Sequence, residues 1–316
     1  MKILILMLKG LSRLPLGVLY ILSDISFFVV YYLVGYRRKV VRTNLSNAFP
    51  EKSQKERRQI ERRFFRFLCD YAFETIRLLS MSAQEMRRRM VIEGVEDMEK
   101  TLERKPFVFI YLGHYCNWEW ISSIPLWAQR TDHVNAQLYR PLKNKVIDEL
   151  FIELRTHFGA TNISKYEALR HILTYKKEGR RAIVGFISDQ SPTPINIYEW
   201  VDFLHQDTPV FTGTERIAKK VDAAIYFADV ERESRGHYRL RLRLMTEDAR
   251  AYPDYQLTEQ YMRELEQMIL RQPHLWLWSH KRWKHTRAAV EEVQRAADAV
   301  ERLMADIFRE MVKRIS

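Results

Sequence analysis

Between Met90 and about Val230 the chain alternates short apolar, β-rich runs with segments of helical pattern, and this alternation restricts the fold more than any other feature. Strand–helix–strand repeats lay successive strands side by side and parallel, with helices packed on both faces. The spacing predicts strands over 90–93, 107–112, 134–139, 182–187 and 223–229. Helices are expected over 117–127, 145–157, 165–178 and 213–220, with Gly179 as a stop for the third. The result is an α/β domain with a mostly parallel sheet flanked by helices. Residues 238–244 alternate Tyr/Leu with Arg, which gives a strand with one apolar and one basic face. Paired with 223–231 across Ser234-Arg235-Gly236, it is expected to form an antiparallel edge. Its arginines are either a solvated sheet surface or a docking face for an acidic partner.

In parallel sheets, ligands bind in the crevice outside the carboxyl ends of the strands. The 107–112 run leads into Gly113-His114, with Glu119 five residues beyond the histidine. A neutral imidazole can take a proton from a hydroxyl as it attacks a carbonyl, and a nearby carboxylate fixes the ring's tautomer. The 134–139 run ends in Arg140, followed by Lys143, and the 182–187 run ends in Ser188-Asp189-Gln190. Three strands therefore bring a His/Glu pair, an arginine and an aspartate to one edge. Each has an ordinary alternative: a locally satisfied histidine, a surface charge, a turn-forming aspartate. Arg140 would offer a fixed cation to a phosphate or a developing oxyanion. No serine in a nucleophile elbow, phosphate-binding glycine loop or metal-ligand spacing accompanies the pair, so neither cofactor nor metal is expected. Direct acyl transfer to a bound hydroxyl fits this set. Hydrolysis by the same pair acting on water, and a non-catalytic lipid-binding protein, stay open beside it.

Residues 14–34 form an apolar stretch of membrane-spanning length interrupted only by Asp24. Thirteen Leu, Ile, Val and Phe residues favour insertion, each by at most about 0.3–0.6 kcal/mol, against a cost of about 2.5–3.5 for a central aspartate. Insertion wins narrowly, and a helix lying in the interface or buried in the core is the alternative. A cleaved signal peptide is not expected, because no alanine precedes Ala48. Arg37, Arg38, Lys39 and Arg42 follow the stretch and bias its carboxyl side slightly toward the cytoplasm. Ser53-Gln54-Lys55-Glu56 has the spacing of a capping box and opens a helix to about Leu79. From Val293 onward apolar residues recur in steps of four and three over roughly three heptads, which suits oligomerisation or packing against the domain or membrane. The expected organisation is an anchor with its basic flank over 1–50, a catalytic domain over 51–287 and an amphipathic helix over 288–316.

The formal net charge is +12, from 52 Lys+Arg against 40 Asp+Glu, which favours acidic partners. No nucleic-acid recognition motif accompanies it, and nucleic acid is not expected. Two cysteines, Cys69 and Cys116, are too few for a disulfide framework.

These blocks resemble, in order, those of the bacterial lipid A biosynthesis acyltransferases of the lauroyl/myristoyl type, which are related to glycerolphosphate acyltransferases. The resemblance rests on Gly113-His114 with Glu119, Tyr139-Arg140-Pro141-Leu142-Lys143-Asn144, Ser188-Asp189-Gln190 and Phe211-Thr212-Gly213. Upstream, Arg42-Thr43-Asn44-Leu45 and Ala48-Phe49-Pro50-Glu51 match, and downstream Pro273 and Trp278 to Lys284, over roughly residues 10–287. It implies a glycerolphosphate-acyltransferase-like fold. It further implies transfer of a fatty acyl chain from acyl carrier protein to a glycolipid hydroxyl at the cytoplasmic face of the inner membrane. His114 would be the general base and Glu119 its partner, with Arg140, Asp189, Asn117, Lys143, Lys281 and Arg282 on the substrate side. The sequence departs from the pattern at Ser188, where many relatives carry proline, and at 202–209, which lacks the usual glycine.

Overall fold

In a computed structural model, which describes residues 2–315, the chain opens with three helices: α1 (Lys2–Ser12), α2 (Leu16–Phe28) and α3 (Arg38–Ala48). Helix α2 continues through a wider turn over Val29–Val34, and Leu16–Val34 is long and apolar enough to cross a membrane. Leu16, Leu19, Ser23 and Phe27 bury one face of α2, while Val18, Ile21, Ile25 and Phe28 stay exposed on the other. The buried face rests on α4 (Gln54–Leu78). Asp24, the charge that weighed against insertion, is paired with Arg235 at 2.9 Å. At the start of α4 the capping box forms as the spacing predicts: Glu56 N–H donates to Ser53 Oγ at 3.3 Å and Ser53 N–H to the Glu56 carboxylate at 2.7 Å.

The α/β body then runs α5 (Ala83–Arg89), β1 (Met90–Glu93), α6 (Val95–Arg104), β2 (Phe107–Leu112), β3 (His133–Tyr139), α7 (Lys145–Thr156), β4 (Thr161–Ser164), α8 (Ala168–Lys177) and β5 (Arg181–Ile187). A hairpin, β6 (Glu199–Phe203) and β7 (Gln206–Val210), precedes α9 (Gly213–Val221), β8 (Ala223–Ser234), β9 (His237–Thr246) and α10 (Gln256–Arg271), and α11 (Arg287–Ile315) closes the chain. Among the described residues the main sheet has seven strands in the order β1-β9-β8-β2-β5-β3-β4, parallel at every pairing except β8–β9. Strand β2 lies at its centre, wholly buried, so its carboxyl end opens into the middle of the edge where the candidate residues gather.

Two expectations are corrected. β9 does pair antiparallel with β8, yet it is no edge, because β1 adds to it in parallel. The arginine face of β9 is a solvated sheet surface, the first of the two readings. Arg239 and Arg241 pair with Glu93, Glu233 and Glu231, and Arg243 with Asp229 and Glu264, so acids of the chain itself balance the basic face. The helix expected over 117–127 is only a 3₁₀ turn at Trp120–Leu126, with Pro125 inside it. Residues 114–116 are committed elsewhere: Cys116 N–H donates to Leu275 O and His114 O accepts from Leu277 N–H. A proline inside the segment lacks the N–H that a longer α-helix would need.

Candidate active site at the carboxyl edge

Gly113 ends β2 in a tight place: a Cβ there would come within 2.9 Å of a Leu265 methyl and 3.5 Å of the Asp189 carboxylate. The missing side chain lets the backbone approach Asp189, so the next residue, His114, donates its own N–H to Asp189 Oδ2 at 2.9 Å. The His114 ring then turns back, placing Nδ1 2.6 Å from Asp189 Oδ1. Trp276 Nε1–H donates to Oδ2 at 2.8 Å. Burial opposes ionisation of Asp189, but the His114 charge and these donors outweigh it and bring the pKa from its usual 3.8 to about 2. The carboxylate is therefore ionised at neutral pH, and a proton on Nδ1 of a neutral ring satisfies it, leaving the Nε2 lone pair free. The side-chain amide nitrogen of Gln190 sits 3.2 Å from Nε2 and covers that lone pair.

A depressed pKa stabilises the fold above the unfolded value and is lost as pH falls through the folded one. Asp189 thus contributes stability that disappears between pH 3.8 and about 2, on the order of 2 kcal/mol. Acid unfolding of Asp189→Asn, followed by circular dichroism, is expected to lack this component.

Asp189, not Glu119, is thus the carboxylate on His114, which corrects the expected pairing. Glu119 is buried and gripped by Arg155 of α7 through two parallel bonds of 2.7 Å. Tyr71 O–H adds a long contact of 3.4 Å. Glu119, Arg155 and His114 all line one cavity of about 570 Å³ that opens at the carboxyl edge. Arg140, exposed at the end of β3, lines it as well, as do Lys165 and Lys284. Arg155 and Lys165 are not among the sequence candidates, and Gln190 is named there only as part of the Ser188-Asp189-Gln190 block. Arg155 sits on the helix expected over 145–157, but which helix face meets the acid depends on how α7 lies on the sheet.

The remaining candidates lie outside the cavity. Asn117 is fully buried and donates to Glu74 Oε2 at 2.8 Å, while its own oxygen accepts from Trp120 N–H. Glu74, also fully buried, accepts from Tyr20 of α2 at 2.8 Å and from Tyr238 of β9 at 2.7 Å, so Asn117 ties the loop after His114 to the first helices. It holds the loop rather than a substrate. Asn117→Ala leaves these partners short of a bond, and chemical denaturation is expected to show a loss of about 1–3 kcal/mol. Lys143 and Lys281 are exposed and away from the cavity lining. Arg282 is 1 % exposed and donates to Pro209 O at 2.7 Å, which removes it from any lipid phosphate. Its burial next to Asp189 also shows in its pKa, lowered to about 10 chiefly by desolvation.

The blocks matched in the sequence meet here. Asn44 donates to Trp278 O and His280 O at 2.8 and 2.9 Å, Phe49 packs on Trp278, and the neighbouring Trp276 reaches Asp189. The first and last blocks therefore brace the loop that carries His114. Cys116 is inert: burial pushes its thiol well above the usual range. Among the described residues no group of three or more His, Cys, Asp or Glu is placed to hold a metal ion.

Comparison with known proteins identifies the family. The family model described as bacterial lipid A biosynthesis acyltransferase matches residues 2–285. The chain is similar to the lipid A biosynthesis lauroyltransferase of Escherichia coli (strain K12), 23 % identical over 286 residues, which covers 87 % of this chain and 91 % of that protein. It is likewise similar to the palmitoleoyltransferase of the same organism, 23 % identical over 283 residues, covering 85 % and 89 %. A lipid A biosynthesis acyltransferase of Haemophilus influenzae is 20 % identical over 196 residues, covering 61 % and 60 %. The chain belongs to the bacterial lipid A biosynthesis acyltransferases, a family of O-acyltransferases that act on lipid A.

Proposed function

We propose that this acyltransferase takes a fatty acyl group from acyl carrier protein and places it on a hydroxyl of a lipid A precursor or similar glycolipid, at the cytoplasmic face of the inner membrane. The observation that carries the reading is the 2.6 Å contact of buried Asp189 with His114, whose ring lines a cavity large enough for an alkyl chain. The acceptor hydroxyl displaces Gln190 from Nε2 and gives its proton to the ring. The oxygen attacks the thioester carbonyl in the same event. Asp189 stabilises the imidazolium, which returns the proton to the departing thiolate as the tetrahedral intermediate collapses. No covalent enzyme intermediate is needed. The freed Gln190 amide, and the cations at the mouth, are placed to stabilise the developing oxyanion and an acceptor phosphate. Glu119 serves as the counter-ion of Arg155 on the cavity wall rather than as the partner of the base.

The net charge of +12 suits an acidic carrier protein and an anionic lipid alike. The Leu16–Val34 stretch, apolar on its exposed face, serves as the domain's anchor to the bilayer. Purified protein given radiolabelled acyl-carrier substrate is expected to form a new ester on the acceptor lipid and little free acid. Free fatty acid alone would favour hydrolysis instead. Mass spectrometry of envelope lipids from a strain lacking the gene should show one missing acyl group, and it names the acceptor and the chain.

A further inference from the structure

Both ends of the apolar stretch Leu16–Val34 are tied to the same α/β body. Before it, Lys9 of α1 pairs with Glu153 of α7 at 2.7 Å, and Ser12 O accepts from Arg77 Nη1 at 2.7 Å and Ser80 Oγ at 2.5 Å. Beyond it, Arg37 donates to Ser279 O at 3.0 Å, and Asn44 holds Trp278 O and His280 O. Between these ends α2 runs antiparallel along α4. Tyr20 bonds Glu74, Ser23 bonds Asp70, Phe27 lies under Arg66 and Tyr31 packs on Phe65, so one helix climbs as the other descends. The β8–β9 turn stands against α2 as well. Arg235 reaches Asp24, Asp70 and the Tyr20 carbonyl, and a Cβ on Gly236 would strike the Tyr20 hydroxyl.

This packing is at odds with an upright helix. Nineteen residues rise about 28 Å, close to the roughly 30 Å of a hydrocarbon core, so a spanning α2 would put its two ends on opposite surfaces. Its partners, α7 at one end and the loop bonded to His114 at the other, would then need to reach both surfaces at once. Keeping those ties means sinking the body beside α2, which carries exposed Arg66, Glu233 and Ser234 to hydrocarbon depth. Lipid-exposed turns and unscreened charge are not tolerated there. A recumbent α2 costs nothing of the kind. Its exposed residues Val18, Ile21, Ile25 and Phe28 follow one stripe in steps of three and four. Ile3, Leu6 and Met7 of α1 add further exposed apolar surface. Arg13, in the link between the two helices, and Arg37, just past the stretch, are exposed, and Arg66 flanks it at Phe27. An apolar stripe with cations at its ends and flank fits the headgroup region of an anionic bilayer. Asp24 stays half exposed on the water side, paired with Arg235.

We propose that Leu16–Val34 does not cross the bilayer but lies along one leaflet with α1 beside it, so that the whole chain stays on one side of the membrane. What covers the exposed stripe is the acyl boundary of an anionic lipid surface. This rests on the membrane placement argued above and not on the chemistry of transfer.

The test reads the side on which the segment before α2 lies. Cys69 and Cys116 are buried, so a membrane-impermeant maleimide reports on a cysteine placed at the surface. Arg13→Cys is made in the full chain, with Lys177→Cys at the exposed end of α8 as the reference for the catalytic body. Both are expected to label in inverted membrane vesicles and to stay unlabelled in intact spheroplasts. Labelling of Arg13→Cys in spheroplasts, with Lys177→Cys labelled only in inverted vesicles, would show a spanning helix and overturn the proposal. Should Arg13→Cys fail to accumulate, a biotin-acceptor peptide fused ahead of Met1 replaces it. The cytoplasmic ligase is expected to biotinylate that peptide, and a fusion left unmodified in the membrane would equally overturn the proposal. Both cysteines labelled only in spheroplasts would leave the one-sided anchor standing and overturn the cytoplasmic placement instead. The stripe is tested with Ile21→Glu and Ile25→Glu combined. Binding of the purified protein to phosphatidylglycerol vesicles is expected to fall about tenfold or more, with the circular dichroism unchanged. Unchanged vesicle binding, with a dimer of the wild type lost in the variant, would mean that a second copy covers the stripe and would overturn the lipid assignment.

Discussion

Exchanging His114 for alanine is expected to slow acyl transfer by about a hundred- to ten-thousandfold, the usual contribution of a positioned general base. The loss should fall on kcat, with the KM values for donor and acceptor little changed, because the ring fills only a small part of a cavity of about 570 Å³. No neighbour can take over. Cys116 is buried with its thiol pushed well up, and Asp189 is an ionised carboxylate with a pKa near 2, too weak a base to help at neutral pH. Glu119 is bound through both oxygens by Arg155. Steady-state assays with saturating donor at neutral pH check the result. A variant that retained most of its kcat would mean that the proton leaves the hydroxyl by another route.

The largest expected effect on stability lies at Arg155. Removing one partner of a buried ion pair costs about 3–5 kcal/mol, because the other charge stays buried and unpaired. Glu119 is only 4 % exposed, with Tyr71, at 3.4 Å, as the one other side-chain donor to its carboxylate among the described residues, so Arg155→Ala falls in this range. Replacing both charges together, as Glu119→Gln with Arg155→Met, should recover a large part of the loss. The difference from additivity, measured by urea denaturation, is the coupling between the two. If Arg155→Ala were as stable as the wild type, Glu119 would have to find another partner, and the separation between it and His114 argued above would fail.

Much of the architecture was legible in the sequence because the sheet is parallel and buried. Strands with both faces covered read as unbroken apolar runs, and 107–112 and 90–93 coincide with β2 and β1 residue for residue. The reason the four residues of β1 cover β9 is not local, and neither is the pairing of Arg239, Arg241 and Arg243 with acids from three other segments. The β6–β7 hairpin escaped notice because its two-residue turn is Leu204-His205, both with positive φ, 51° and 60°. Such turns normally announce themselves with Asn-Gly. At the site, strand order was enough to bring His114, Arg140 and Asp189 to one edge. It did not specify which carboxylate meets the ring. Glu119 is nearer in sequence, but Gly113 lets the backbone of His114 close on Asp189, and α7 brings Arg155 to Glu119. Arg282 read as a surface cation for lack of any sign that Pro209 and the packing around Asp189 would enclose it.

The central claim is that Asp189 sets the proton on Nδ1 and so leaves Nε2 as the base. The turnover number of Asp189→Asn, compared with that of Glu119→Gln on the same substrates, tests it most directly. An asparagine can present its amide N–H to Nδ1 and force the proton onto Nε2, so the account predicts a loss for Asp189→Asn of a hundredfold or more, comparable to that of His114→Ala. It predicts a smaller loss for Glu119→Gln. Near-normal turnover in folded Asp189→Asn, with activity abolished in Glu119→Gln, would contradict it.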